Sequence, residues 1–180
     1  MNMRILFVFT ISILFLASCG SPKERRTIIV ENRYYQCEPA LTIEKKMVNL
    51  INTVRHSKRR CGKKTFSPAG NLKWNNKLAM AALNHARDMA MSNMLSHTGS
   101  DGSTVMDRVE KRGYSWQVVA ENIAAGRQTS EGVVSLWLDS PSHCTNLMKP
   151  DITEIGAACF RNPDSTYGTY WTVVMGASGD

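Results

Sequence analysis

His97, Glu121 and His143 are the side chains of this sequence whose types and settings best suit chemistry. His97 opens a Gly-rich turn, Ser96-His97-Thr98-Gly99-Ser100-Asp101-Gly102-Ser103. Glu121 interrupts a short apolar run, Ala120-Glu121-Asn122-Ile123-Ala124, and His143 follows the turn Ser140-Pro141-Ser142. Two neutral imidazoles and one carboxylate make a three-ligand zinc site that keeps its fourth position for water. Such a site activates water or polarises a carbonyl. Without metal, Glu121 would orient a histidine toward a hydroxyl nucleophile. Ser140 is better placed for that than Ser142, because adjacent side chains of an extended segment point apart. A third reading makes the trio a hydrogen-bonded polar cluster that holds loops together.

These groups need elements to position them. Ile43, Met47, Leu50, Ile51 and Val54 recur at helical spacing, which predicts a helix that Thr42 caps and that ends near Ser57. Asn75 is the candidate cap of the strongest helix, 76–94, whose apolar face is built from Leu78, Ala82, Ala86, Met89 and Ala90. His85 falls at the edge of that face, which suits a packed core-edge residue or one looking into a site. Thr104 starts a short helix that Gly113 ends. Trp116 to Ile123 reads as a strand, 131–138 as a helix stopped by Pro141, and Asn146-Leu147-Met148 as a turn. Two strands, 154–160 and 170–177, close the chain as a hairpin across a polar loop. Helices interleaved with few strands fit an α+β, three-layer α-β-α sandwich.

The amino terminus predicts export. Arg4 precedes an apolar run, Ile5 to Leu16, which falls short of the ~20 residues that span hydrocarbon. Leu16-Ala17-Ser18-Cys19 resembles a bacterial lipobox, in which the cysteine becomes the lipidated first residue of the mature chain. The organisation read from this is a signal peptide over 1–18, a tether over 19–41 and one domain over 42–180. The chain carries a net charge of +7, with Lys58-Arg59-Arg60-Cys61-Gly62-Lys63-Lys64 its densest basic cluster. An exported protein gives that cluster no nucleic acid to bind; it reads as a solvated loop, with anionic lipid or envelope polymer as the alternative partner. Four further cysteines in an oxidising compartment imply two disulfides, and the most local pairing is Cys37–Cys61 with Cys144–Cys159.

Across roughly residues 43–177 the chain resembles the CAP superfamily of cysteine-rich secretory, antigen 5 and pathogenesis-related proteins. The motifs are Ser96 to Gly102, Ala120 to Ala124, Trp137 through Ser140-Pro141-Ser142-His143, and Thr153-Glu154-Ile155-Gly156-Ala157-Ala158-Cys159. The resemblance implies an α-β-α sandwich of the CAP type with a groove of two histidines and two acids that binds zinc or another divalent cation. Carried over by motif, these are His97, His143 and Glu121. The second acid would stand at Ser140, with Asp139 beside it as a possible replacement. The resemblance also supports Cys144–Cys159. The expectation for function is a monomeric binding module of the bacterial cell envelope, held to the membrane through lipidated Cys19. Its groove would take a lipid, glycan or protein ligand. The alternatives are a peptidase-like hydrolase, metal-assisted or Ser/His/Glu, and a structural envelope protein.

Overall fold

The computed structural model describes residues 37–179. The segments read as signal peptide and lipobox, with Cys19, and most of the expected tether lie outside the described residues. Among the described residues, no helix is long and apolar enough to cross a membrane.

The first helix, α1 (Ala40–Arg55), buries Ile43, Met47 and Ile51, one residue per turn along a single stripe. It starts before Thr42: Pro39 takes the N-cap position, and its carbonyl accepts from the amides of Thr42 and Ile43. A two-stranded hairpin follows, β1 (Arg59–Cys61) and β2 (Lys64–Phe66), where the sequence predicts a plain loop. After β3 (Lys73–Trp74) comes α2 (Asn76–Met91), capped as expected by Asn75, whose Oδ1 accepts from Lys77 and Leu78. The short α3 (Val105–Glu110) opens with a reciprocal capping box between Thr104 and Asp107.

The remaining elements are β4 (Trp116–Ala125), α4 (Ser130–Asp139), α5 (Pro141–Met148), β5 (Glu154–Arg161) and β6 (Thr169–Ser178). Pro141 does end α4, but it also begins α5, so the expected turn at 146–148 is the last part of a helix. The reason lies in proline itself: its fixed φ and missing N–H suit the first helical position.

The sheet runs β3-β5-β6-β4. Its three long strands are antiparallel neighbours, whereas the two-residue β3 lies parallel to β5. Strand alternation divides the interior into two layers. On one face Ala120, Ala124, Ile155, Ala157, Trp171, Val173 and Met175 pack with α1, α4 and Leu147 of α5. On the other, Ala158 and Val174 pack with Leu78, Ala81 and Ala82 of α2 and Val109 of α3. This is the expected three-layer α-β-α sandwich. Gly156 sets the spacing of the second layer. A Cβ there would stand 2.0 Å from the Ala79 backbone nitrogen, so α2 lies directly on β5.

The disulfides correct the local pairing. Cys37 bonds Cys159 and Cys61 bonds Cys144, with Cα separations of 5.7 and 5.5 Å. Neither Cys37–Cys61 nor Cys144–Cys159 forms. The fold, not chain distance, decides the pairing: Cys61 and Cys144 share a buried cluster with Phe66 and Met148, because the hairpin packs on α5. Cys37 packs against the core that contains Cys159. Each bond closes a long loop, worth ~4–5 kcal/mol in the chain-entropy account. Arg55, fully buried at the end of α1, ties the same region together. It donates to the carbonyls of Gly70, Leu147, Lys149 and Ile152, and so fixes the end of α5.

Candidate functional site: a histidine pair anchored by a buried ion pair

Glu121 lies near the middle of β4, the sheet's outer strand, and its side chain is almost wholly buried. A buried carboxylate needs charge-matched donors. Both of its oxygens have one. Oε1 accepts from His97 Nδ1 at 2.8 Å, and Oε2 accepts from Arg108 Nη2 at 2.8 Å. Arg108 comes from α3 and is itself buried. It reaches past Glu121 to the turn: Nη2 also donates to the His97 carbonyl and Nη1 to the Ser103 carbonyl.

The turn that bears His97 is held from every side. His85 of α2 donates from Nε2 to the Ser96 carbonyl at 2.8 Å, which fixes its tautomer. Its Nε2 is 3.9 Å from Glu121 Oε1. Asp88 accepts from the Ser100 amide and hydroxyl, and Gly99 and Ser103 close the turn through their backbones. The His97 ring itself is more than half exposed. A carboxylate on Nδ1 leaves Nε2 as the working nitrogen, the usual orientation of a histidine that serves a metal or a proton transfer.

His143 arrives from the other layer. It sits in the first turn of α5, which lies alongside β4 through two asparagines. Asn122 donates to the His143 carbonyl, and Asn146 donates to the Glu121 carbonyl and to Asn122 Oδ1. The His143 ring makes no hydrogen bond among the described residues, and it is close enough to His97 to feel its charge. Burial first, then that charge, hold its pKa below the ordinary imidazole value. His85 is lowered too, chiefly by burial, with Arg108 adding to the effect and Glu121 opposing it.

Of the sequence-predicted trio, Glu121 and His97 are joined directly, while His143 is tied to their strand through its backbone carbonyl, and Glu121 faces His97 and Arg108 rather than an open position. Among the described residues no three His, Cys, Asp or Glu side chains gather as a ligand set. Glu121 stands as the group that orients the His97 ring. Asp139 is exposed at the end of α4, and Ser140 shares a hydrogen bond with Ser142. Neither hydrogen-bonds to His97, Glu121 or His143. Arg108 and the Asn122–Asn146 pair are the site residues that sequence reasoning misses. The available signal for Arg108 is its place between Val105 and Val109, on the inward stripe of its helix.

A consequence for stability follows from the lowered histidines. Both bind protons more readily in the unfolded chain, so unfolding takes up protons as the pH falls below ~6.5. Their contribution is fully present above that value and is lost as the pH drops toward their folded values. The urea midpoint should therefore fall between pH 7.5 and 5.5, and His85→Gln should flatten that slope. An unchanged slope would remove His85 as the cause.

The profile of the CAP, or cysteine-rich secretory protein, family matches residues 48–175. The chain belongs to the CAP family. It is 30% identical over 129 residues to the YkwD protein of Bacillus subtilis, a match covering 72% of this chain and 45% of that protein. It is 31% identical over 88 residues to a protein of Borreliella burgdorferi, covering 49% of this chain and 56% of that one. The chain thus spans about half the length of the curated relatives it matches. An extracellular SCP-domain protein of Bacillus anthracis shares the fold with a TM-score of 0.63 and 21% identity, over 90% of this chain and 45% of that one. An outer surface protein of Borrelia burgdorferi does so with a TM-score of 0.59 and 22% identity, over 88% of this chain and 96% of that one. β4 is the sheet edge that α5 and the His97 turn both reach.

Proposed function

We propose that this CAP domain is a binding module outside the cytoplasm, held to a bacterial membrane by a lipid on Cys19. Its His97–His143 pair takes a divalent cation and presents it to an envelope ligand. The observation that supports this reading is the division of labour around Glu121. One oxygen orients the His97 ring and the other neutralises Arg108, which leaves the Nε2 side of His97 and the His143 ring for an incoming group. A zinc ion there would supply a Lewis-acidic centre with coordination positions left for water or ligand. Export agrees with the two disulfides and with the printed descriptions of the Bacillus anthracis and Borrelia burgdorferi neighbours as extracellular and outer-surface proteins.

Binding is favoured over turnover by what surrounds the histidines. Catalysis needs a base or nucleophile, an oriented partner and stabilisation of developing charge at one place. His97 with Glu121 supplies an oriented base. The sequence-nominated hydroxyl, Ser140, shares a hydrogen bond with Ser142 and makes none with His97 or His143. Calorimetric zinc titration at pH 7.5 tests the reading: the wild type takes up one ion, and His97→Ala/His143→Ala takes up none at that site. Glu121→Gln keeps the site with affinity lowered by about 10–100-fold, the usual effect of losing an orienting partner. Equal uptake by the wild type and the double histidine variant would exclude this pair.

A further inference from the structure

The β1–β2 hairpin carries five cations, Lys58, Arg59, Arg60, Lys63 and Lys64, on a unit that α5 holds rigidly. Its antiparallel register pairs Arg59 with Phe66, Arg60 with Thr65 and Cys61 with Lys64. Phe66 and Cys61 turn inward to the cluster with Cys144 and Met148, so the hairpin is both packed and covalently stapled to α5. Its tip glycine, Gly62, has φ +60, and a Cβ there would meet Pro141 at 2.9 Å, so the tip sits directly on the start of α5. By the register, Arg60 faces away from α5, whereas Arg59 and Lys64 share the face of Phe66 and Cys61 and extend from its edge. Arg60 and the two tip lysines are exposed, and Lys64 lies over the Phe66 ring at 4.6 Å.

These charges lack local compensation. From Lys45 to Arg87 the chain contains eleven Lys and Arg and no Asp or Glu. Among the described residues, none of the five pairs with a carboxylate of its own or a neighbouring element; Asp139 and Asp151 are the acids nearest in sequence to the α5 surface that the hairpin covers. A solvated loop is a common fate for such a run, but this run is ordered, stapled and single-signed. Its shape decides the kind of partner. None of the five cations lines any of the three main concavities of the domain, so they do not gather around one ligand. Like charges spread along a hairpin rather than around a cavity match an extended array of opposite charges.

We propose that the hairpin docks the domain on an anionic phospholipid surface. This is a contact of the protein surface itself, independent of any acyl chain. Because the staple joins the hairpin to α5, the contact would also fix how His143 stands relative to the membrane.

The test is sedimentation with vesicles, using the chain from residue 19 onward with Cys19→Ser so that no lipid contributes. Vesicles of phosphatidylcholine alone are compared with vesicles in which about one third of the lipid is phosphatidylglycerol. Binding is expected only to the anionic vesicles, and ~1 M salt should release it, since the Debye length there is ~3 Å. Each cation near an anionic leaflet contributes roughly five-fold to partitioning, so Arg60→Gln/Lys63→Gln/Lys64→Gln should lower it on the order of 100-fold. A triple variant of equal charge loss elsewhere, Lys45→Gln/Lys73→Gln/Arg87→Gln, should keep most of the binding. Equal losses in both variants would reduce the effect to net charge and overturn the proposal. So would binding to soluble polyphosphate with no binding to vesicles, which would make the partner a polymer. Unchanged thermal midpoints in both variants confirm that folding is intact.

Discussion

Arg108→Ala is expected to cost the fold about 3–5 kcal/mol, because it leaves the buried Glu121 carboxylate without its countercharge. Small domains have ~5–15 kcal/mol in total, so this variant should sit near the edge of folding. The loss has two parts. One is the unpaired carboxylate; the other is the turn at 96–103, which loses two donors to its carbonyls. A double variant, Arg108→Ala/Glu121→Gln, separates them. It removes the stranded charge and should recover part of the loss, with a coupling energy readable from a denaturant-based cycle. If Arg108→Ala shifts the urea midpoint by no more than an exposed substitution does, the ion pair does not anchor the site.

Gly156→Val should be comparably severe, at about 3 kcal/mol or more. Even a Cβ at this position falls within the backbone of Leu78 and Ala79, and no flexible side chain is present to give way. Overpacking of ordinary core side chains costs ~1–3 kcal/mol, and here backbone must move against backbone. Moving α2 outward would also pull His85 from Ser96, so the variant should loosen the His97 turn as well as lower stability. Amide exchange at Ser100 and Gly102 reads the turn, and thermal denaturation reads the fold. A variant with wild-type melting and wild-type exchange at both amides would mean that α2 does not rest on β5 as described.

The parts of this structure that the sequence makes legible are those with strong local chemistry. Asn75 is a cap by its side chain, and α2 follows from its apolar face. The strands at 154–161 and 169–178 follow from their apolar runs and the polar loop between them. His97, Glu121 and His143 stand out because each occurs beside turn residues or within an apolar run that has no other use for it. What stays hidden depends on contacts between distant segments. Chain proximity favours Cys37–Cys61, whereas packing of the hairpin on α5 brings Cys61 to Cys144. A polar three-residue strand such as Arg59–Cys61 has no hydrophobic period to announce it. Pro141 signals both an end and a beginning, and only the second helix shows which. Arg108 lies on the inward stripe of a six-residue helix, but its partner shows only when β4 places a carboxylate opposite it.

In the proposed function, that carboxylate orients His97 and leaves the cation to the two imidazoles. Histidine-selective nitrogen NMR tests this most directly, with zinc added at pH 7.5. His97 is expected to be protonated on Nδ1 before zinc is added and to stay so afterwards. Zinc should perturb Nε2 of His97 and one ring nitrogen of His143, and His85 should keep its Nε2 proton on Ser96. Loss of the His97 Nδ1 proton on zinc addition, or zinc-induced shifts confined to His85 and His56, would contradict it.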